Sequence, residues 1–159
     1  MRLFADTVLD DLTAQAAASP RRRAHFNIHT SAADPIQRFL VATQRDTYFR
    51  PHKHLTRSEL AIVLRGQFDI LTFDDDGRVQ SRHCVGDGTG QFAYEASKGT
   101  WHALIALKDG GAFLEVKEGP YDPAVAVDFA PWAPAEGAES VGRYQQWLRT
   151  AAPGSLYSG

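Results

Sequence analysis

The chain has 159 residues, of which 43% are hydrophobic and 23% charged, and a formal net charge of −2 at pH 7, which together indicate one ordinary globular domain with a single core. The overall acidity and the lack of a basic stripe argue against a nucleic-acid partner, and no apolar run approaches the ~18 residues of a membrane span. The only cysteine, Cys84, excludes an intrachain disulfide, so we expect a cytoplasmic protein without a membrane partner.

The N-terminal segment is predicted to be a short helix that ends at Ser19-Pro20, with Asp6 or Thr7 as its cap. Its apolar residues recur at helical spacing, at Val8, Leu9, Leu12 and Ala16. The period then changes to two, because polar and apolar residues alternate over 25–29. This alternation predicts a strand, and one face of it would present His25, Asn27 and His29.

Short segments of strand length follow one another up to residue 117. They are 36–44, 47–50, 60–64, 68–73, 79–85, 91–95, 101–107 and 112–117. Gly66 permits a tight turn, and Asp75-Asp76-Gly77 is typical of a hairpin between two of these strands. Many short strands with regular turn signals favour an all-β sandwich or barrel over alternating β and α units.

The C-terminal part is predicted to be an extended, proline-rich segment followed by a helix. Residues 119–134 contain Gly119 and four prolines, and the prolines stiffen the backbone and prevent regular helix. A helix is expected from about 138 to 150, because one face of it is apolar. That face consists of Val141, Tyr144, Trp147 and Leu148.

Three histidines and one glutamate have the spacing of a metal site. His52 and His54 are two residues apart on a predicted strand and therefore share a face, whereas Lys53 between them points away. Glu59 follows closely, and His102 lies far downstream next to Trp101, which is expected in the core. Imidazole and carboxylate together suit one divalent transition metal, namely Fe, Mn, Ni, Co or Zn, and leave open positions for a ligand.

The same residues resemble the two cupin motifs. His52-x-His54, Glu59 and Gly66 match the first motif, and Gly99-x-x-His102 resembles the second. Further stretches, such as Gln37-Arg38, resemble the WbuC-type cupin metalloproteins over residues 8–137. The resemblance implies an all-β, double-stranded β-helix (a jelly-roll cupin barrel) with short N- and C-terminal helices. It divides the single domain into a helical segment (1–20), the cupin barrel (21–130) and a C-terminal extended segment with a helix (131–159).

Other polar residues are candidates for binding substrate or for orienting the metal ligands. They are His25, Asn27, His29, Arg38, Glu115 and Tyr121. The first three share a strand face, and the last two are an acid and a phenol that could reach the barrel cavity. No residue is singled out as catalytic.

The resemblance implies a metal-binding cupin of surface-polysaccharide (O-antigen) biosynthesis. Its ligand would be a sugar, a nucleotide sugar or a small anionic metabolite, and the basic bias of residues 1–66 favours an anion. The metal could support isomerase or epimerase chemistry, or Fe(II)-dependent dioxygenase chemistry. Two further alternatives are a noncatalytic binding module and an ion that only stabilises the barrel. By analogy with other cupins, we expect a homodimer.

Overall fold

The computed structural model describes residues 1–159 and consists of two antiparallel sheets of five strands each, with one helix near each end of the chain. The helices are α1 (Asp6–Ala18) and α2 (Val141–Leu148). The strands are β1 (Arg23–Asn27), β2 (Ile36–Thr43), β3 (His52–Lys53), β4 (Glu59–Arg65), β5 (Gln67–Phe73), β6 (Val79–Gly86), β7 (Ala93–Ala96), β8 (Trp101–Ala106), β9 (Gly111–Glu118) and β10 (Asp128–Phe129). The predicted all-β jelly-roll class is confirmed, with sheet orders β1-β2-β9-β4-β7 and β10-β3-β8-β5-β6.

Most predicted elements are present, and the exceptions have local causes. The strand predicted at 47–50 is wrong, because a turn closed by the Thr47 amide and the Gln44 carbonyl leads into irregular backbone there. Strand β10 was missed because it has only two residues, too few to show a period. Strand β3 is shorter than predicted, since it contains His52 but ends at Lys53, before His54. The cap predicted at Asp6 or Thr7 is also wrong, since α1 begins after Ala5 without a side-chain capping bond.

The two faces of each sheet carry different clusters of apolar residues. Between the sheets, Phe68, Leu104 and Phe113 belong to one buried cluster. On the outer face of the β5–β8 sheet, Trp101 packs in a second cluster with Tyr144 of α2. Helix α1 covers the other sheet through a third cluster. Burial on both faces of β8 explains its continuous apolar sequence.

The strand register carries polar side chains to one end of the space between the sheets. Successive side chains alternate between faces, so His102 points inward with Leu104 while Trp101 points to the outer cluster. His102 pairs with His52 of β3. Glu59 of β4 pairs with Lys117 of β9. These pairings set the positions of the side chains that form the candidate site.

None of the helices has the length and apolar character that crossing a membrane requires.

Candidate metal centre and ligand cavity

Four side chains from three strands and one loop converge between the sheets. One potential ligand atom from each of His52, His54, Glu59 and His102 lies within 4.8 Å of the others. The Nε2 atom of His54 is 2.9 Å from Oε2 of Glu59, and Nε2 of His102 is 3.6 Å from Oε1 of the same carboxylate. The residues identified by spacing along the chain are therefore brought together in space.

Each imidazole is held by a backbone carbonyl on its far side. The contacts are 2.9 Å from His52 Nδ1 to the Arg50 oxygen, 2.6 Å from His54 Nδ1 to the Ala126 oxygen and 2.9 Å from His102 Nδ1 to the Thr100 oxygen. A proton on each Nδ1 would donate to these carbonyls and leave the Nε2 lone pair free. This is the tautomer and orientation that outer hydrogen bonds impose on metal-ligating histidines.

The cluster fits a divalent metal by its chemistry and its dimensions. Nε2 of His102 is buried and has no hydrogen-bond partner in the protein, which is unusual for a buried polar atom. Metal–ligand bonds of about 2.1 Å would separate ligand atoms by roughly 3.0 Å when adjacent and 4.2 Å when opposite in an octahedron. The observed maximum of 4.8 Å is therefore only slightly wider than an octahedral site requires.

The buried ligands have unequal proton affinities. Burial lowers the pKa of His52 to about 3, since desolvation disfavours the imidazolium. Burial also acts to lower the pKa of His102, but the negative charge of the Glu59 carboxylate, 3.6 Å from Nε2, outweighs it and raises that pKa. Burial acts to raise the pKa of Glu59, yet Lys117 and the neighbouring histidines keep it well below its ordinary value. Glu59 is therefore a carboxylate, and His102 is more readily protonated than His52.

Two further side chains hold Glu59 in place. Lys117 Nζ lies 3.0 Å from Glu59 Oε2, 3.4 Å from His54 Nε2 and in direct contact with the Glu115 carboxylate. The Tyr94 hydroxyl donates to Glu59 Oε1 at 3.2 Å. Burial, together with the charge of Glu59, raises the pKa of Glu115 to about 7. The carboxylate of Glu59 thus already has a cation and a hydroxyl donor beside it.

A cavity of about 670 Å³ adjoins the cluster, a volume within the range of small-molecule sites. Of the six residues predicted to bind substrate or orient ligands, five line it: His25, Asn27, His29, Glu115 and Tyr121. Arg38 does not line it, because its neighbours on β2, Gln37 and Phe39, face the cavity instead. Only the backbone of Arg38 reaches this region: its carbonyl oxygen lies 2.8 Å and its amide nitrogen 3.0 Å from His29 Nδ1.

The two residues beside the histidines on the outer sheet face behave as predicted. Trp101 is buried at 6% exposure in the outer cluster. The ammonium group of Lys53 lies 4.1 Å from the centre of the Trp101 ring, away from the metal ligands. This contact is a cation–π interaction, which explains why a lysine is tolerated between two buried histidines.

Some residues of the site had little signal in the sequence. Tyr94 and Arg57 were not selected from the sequence, and Lys117 has no signal there beyond sharing a strand face with Glu115. The contact between Glu59 and Lys117 depends on the β4–β9 register, which pairs residues separated by 58 positions. Only an inward-facing polar residue in an otherwise apolar strand could have indicated Tyr94 or Lys117.

The fold and the four-residue cluster define a cupin-fold protein with a candidate metal centre. Residues 4–85 match the family described as "Domain of unknown function (DUF6016)", and the chain belongs to that family. The matched part contains His52, His54 and Glu59, whereas His102 lies beyond it. No functionally curated protein matches the sequence significantly.

Solved structures share the fold at low sequence identity. CapF from Staphylococcus aureus, described as a capsular polysaccharide assembling protein, is 16% identical over 70% of this chain and 30% of its own, with a TM-score of 0.58. Protein SO0799 from Shewanella oneidensis is 10% identical over 97% of this chain and 100% of its own, with a TM-score of 0.57. An oxalate oxidase in complex with the substrate analogue glycolate is 13% identical over 84% of this chain and 69% of its own, with a TM-score of 0.54. These likenesses confirm the cupin fold, while the WbuC-type assignment stays a prediction.

Proposed function

We propose that the protein is a metal-dependent cupin that holds one divalent transition metal and binds a polar or anionic small molecule beside it. His52, His54, Glu59 and His102 would hold the ion. The observation that carries the proposal is the convergence of three imidazole nitrogens and one carboxylate at a cavity of about 670 Å³. Divalent Fe, Mn, Ni, Co and Zn all suit this donor set.

The ligand class we favour is a sugar, a nucleotide sugar or a small anionic metabolite of surface-polysaccharide (O-antigen) biosynthesis. Most residues of the cavity wall are polar or charged, since nine of the 26 are hydrophobic. Such a wall offers many hydrogen bonds to hydroxyl and acidic groups. The WbuC-type resemblance and the fold shared with CapF support the same direction.

Proton transfer is the catalytic role that the cavity residues support best. A divalent ion bound there would polarise a ligand oxygen. Glu115 lies in the cavity wall with a pKa near 7, where a carboxyl group exchanges protons readily at neutral pH. Together these features support an isomerase or epimerase, in which one carboxyl group removes and returns a proton.

Two alternatives each have an observation in their favour. A ligand set of three histidines and one glutamate next to an accessible cavity also suits an Fe(II)-dependent dioxygenase. A noncatalytic binding module is favoured by Lys117, which engages both Glu59 and Glu115 and leaves neither carboxylate unpaired. A homodimer and a cytoplasmic location remain predictions, which light scattering and cell fractionation would check.

The test combines ligand screening with turnover. Metal-loaded protein would be screened by thermal shift against sugars, nucleotide sugars and small carboxylates, and every stabilising compound would be assayed for product and for oxygen consumption. The isomerase proposal predicts product without oxygen uptake, loss of turnover but not of binding in Glu115→Gln, and loss of both in His102→Ala. Oxygen consumption would favour the dioxygenase, and saturable binding without product would favour the binding module.

A further inference from the structure

Two arginines in the cavity wall have no acidic partner. Arg57 is only 8% exposed, and its one hydrogen bond in the protein runs from Nη1 to the carbonyl of Glu118 at 2.8 Å. Arg50 donates from Nη2 to the carbonyl of Ala130 at 2.7 Å and lies over the ring of Phe129. Both guanidinium groups line the cavity, and neither forms an ion pair with a carboxylate.

The other cations of the cavity each have a carboxylate partner within the protein. Arg21 and Arg23 share the carboxylate of Glu136. Lys117 contacts both Glu59 and Glu115. Arg50 and Arg57 are therefore the cations of the cavity wall without a carboxylate partner, and a bound divalent ion would add to their positive charge. A guanidinium group that is largely removed from water without a counter-charge costs free energy, which an anionic ligand would offset.

Arg57 has the better geometry for an anion. Its Nε and Nη2 atoms make no hydrogen bond within the protein, so the edge of the guanidinium that carries both donors is unused. This edge matches two oxygens of a carboxylate or a phosphate with parallel hydrogen bonds. Arg50 is less suited, because its Nε is buried away from solvent. Thr30, Ser31 and Tyr121 line the same cavity and supply hydroxyl groups.

We propose that Arg57 is an oxyanion-binding residue and that the cavity takes a sugar-sized acid, with its carboxylate or phosphate on Arg57 and its hydroxyl groups toward His52 and His54. The inference rests on the proposed function for the orientation toward the metal. The binding of the acid group by Arg57 depends on the arginine alone. A cavity of about 670 Å³ has room for a monosaccharide with one acidic substituent.

The test uses three probes that share one sugar ring: glucose, glucuronate and glucose 1-phosphate. Binding of each would be measured by isothermal titration calorimetry to wild type, Arg57→Gln, Arg57→Lys and Arg143→Gln, with and without metal. Arg143 is exposed on α2 and outside the cavity wall, so its substitution removes one positive charge without touching the site. Thermal denaturation of Arg57→Gln and Arg57→Lys checks that both variants fold. If Arg57→Gln does not fold, Arg57→Lys still tests the paired hydrogen bonds, because it keeps the positive charge.

The proposal predicts that at least one of the two acids binds more tightly than glucose. It also predicts that Arg57→Gln weakens that acid about 10- to 100-fold, the range expected for lost charge-assisted hydrogen bonds, while Arg143→Gln leaves it unchanged. The acid affinity of Arg57→Lys should lie between those of Arg57→Gln and Arg143→Gln, because lysine keeps the charge but cannot form the paired hydrogen bonds. The preferred acid identifies carboxylate or phosphate as the bound group.

Equal affinity for the three probes, no binding of either acid, or unchanged acid binding in the arginine 57 variants would overturn the inference. Loss of acid binding in Arg57→Gln with normal metal uptake supports the inference independently of the metal. Failure of the wild type to bind any metal, with acid binding still dependent on Arg57, would reject the proposed metal function alone.

Discussion

Replacement of Lys117 by methionine should destabilise the metal-free protein and increase the stabilisation that metal provides. The lysine side chain is 17% exposed and lies between the carboxylates of Glu59 and Glu115, which are 3% and 10% exposed. Methionine preserves much of the apolar stem but leaves two buried carboxylates without their cation. A divalent ion bound at Glu59 would restore that compensation.

The magnitude follows from the burial of the group. Removal of one partner of a buried ion pair costs about 3–5 kcal/mol, and the residual exposure of Lys117 places it near about 3 kcal/mol. For a chain of this size each kcal/mol lowers Tm by about 2–4 °C, so we expect a decrease of about 6–12 °C.

Calorimetric unfolding would be recorded for wild type, Lys117→Met and the exposed control Lys108→Met, each with chelator and with saturating metal. The control should stay within about 0.5 kcal/mol of wild type. The Lys117→Met deficit should be largest with chelator and smaller with metal. An unchanged Tm in the chelated variant, or a larger deficit in the metal-loaded one, would refute this account of Lys117.

Three further measurements test other parts of the structure. Metal affinity should already fall as the pH drops toward about 6.5, because the raised pKa of His102 lets this ligand take up a proton above that pH. A flat affinity from pH 7.5 to 5 by titration calorimetry would contradict this. Tyr94→Phe removes the hydroxyl that donates to Glu59 at 3.2 Å and should weaken metal binding about 10-fold in the same calorimetry. An unchanged Kd for the metal would show that the tyrosine does not support the site. Gly86→Ala should destabilise the protein by about 2–4 kcal/mol more than Gly88→Ala in urea unfolding. An added Cβ at Gly86 would collide with a backbone carbonyl, while the space at Gly88 is open. Equal losses of unfolding free energy would show that the turn relaxes.

The ligand set could be predicted from sequence because its spacing is mostly local. His52 lies on β3, His54 follows that strand directly, and Glu59 opens β4. His102 is distant in the chain, and it was found because its own glycine-containing motif marks the start of β8. The same reasoning placed Trp101 on the opposite face, as the structure has it.

The electrostatic surroundings of these ligands could not be predicted in the same way. Whether Lys117 meets Glu59 depends on the β4–β9 register, and a shift of one residue would turn it to the other face. Arg57 appears in sequence as an ordinary surface cation, and only its burial without a carboxylate partner distinguishes it. The two-residue strands β3 and β10 are defined by their partners and have no period of their own.

The proton affinity of the histidines also required the structure. From sequence, all three would be expected to titrate near pH 6.5. Burial lowers the pKa of His52 to about 3, whereas contact with Glu59 raises that of His102. Of these two histidines, His102 is therefore the one at which protons compete more strongly with a metal, and His52 is available to bind an ion over a wider pH range.

Metal occupancy is the measurement that tests the central claim most directly. Wild type, His52→Ala and His102→Ala would be loaded with each of the five candidate metals at pH 7.5, desalted and analysed for metal by mass spectrometry, with Arg143→Gln as a folded control. We expect close to one ion per chain in wild type and control for at least one metal, and little or none in either histidine variant, because each loses one of four ligands. Absence of every metal from the wild type, or undiminished occupancy in both histidine variants, would contradict the assignment of the site.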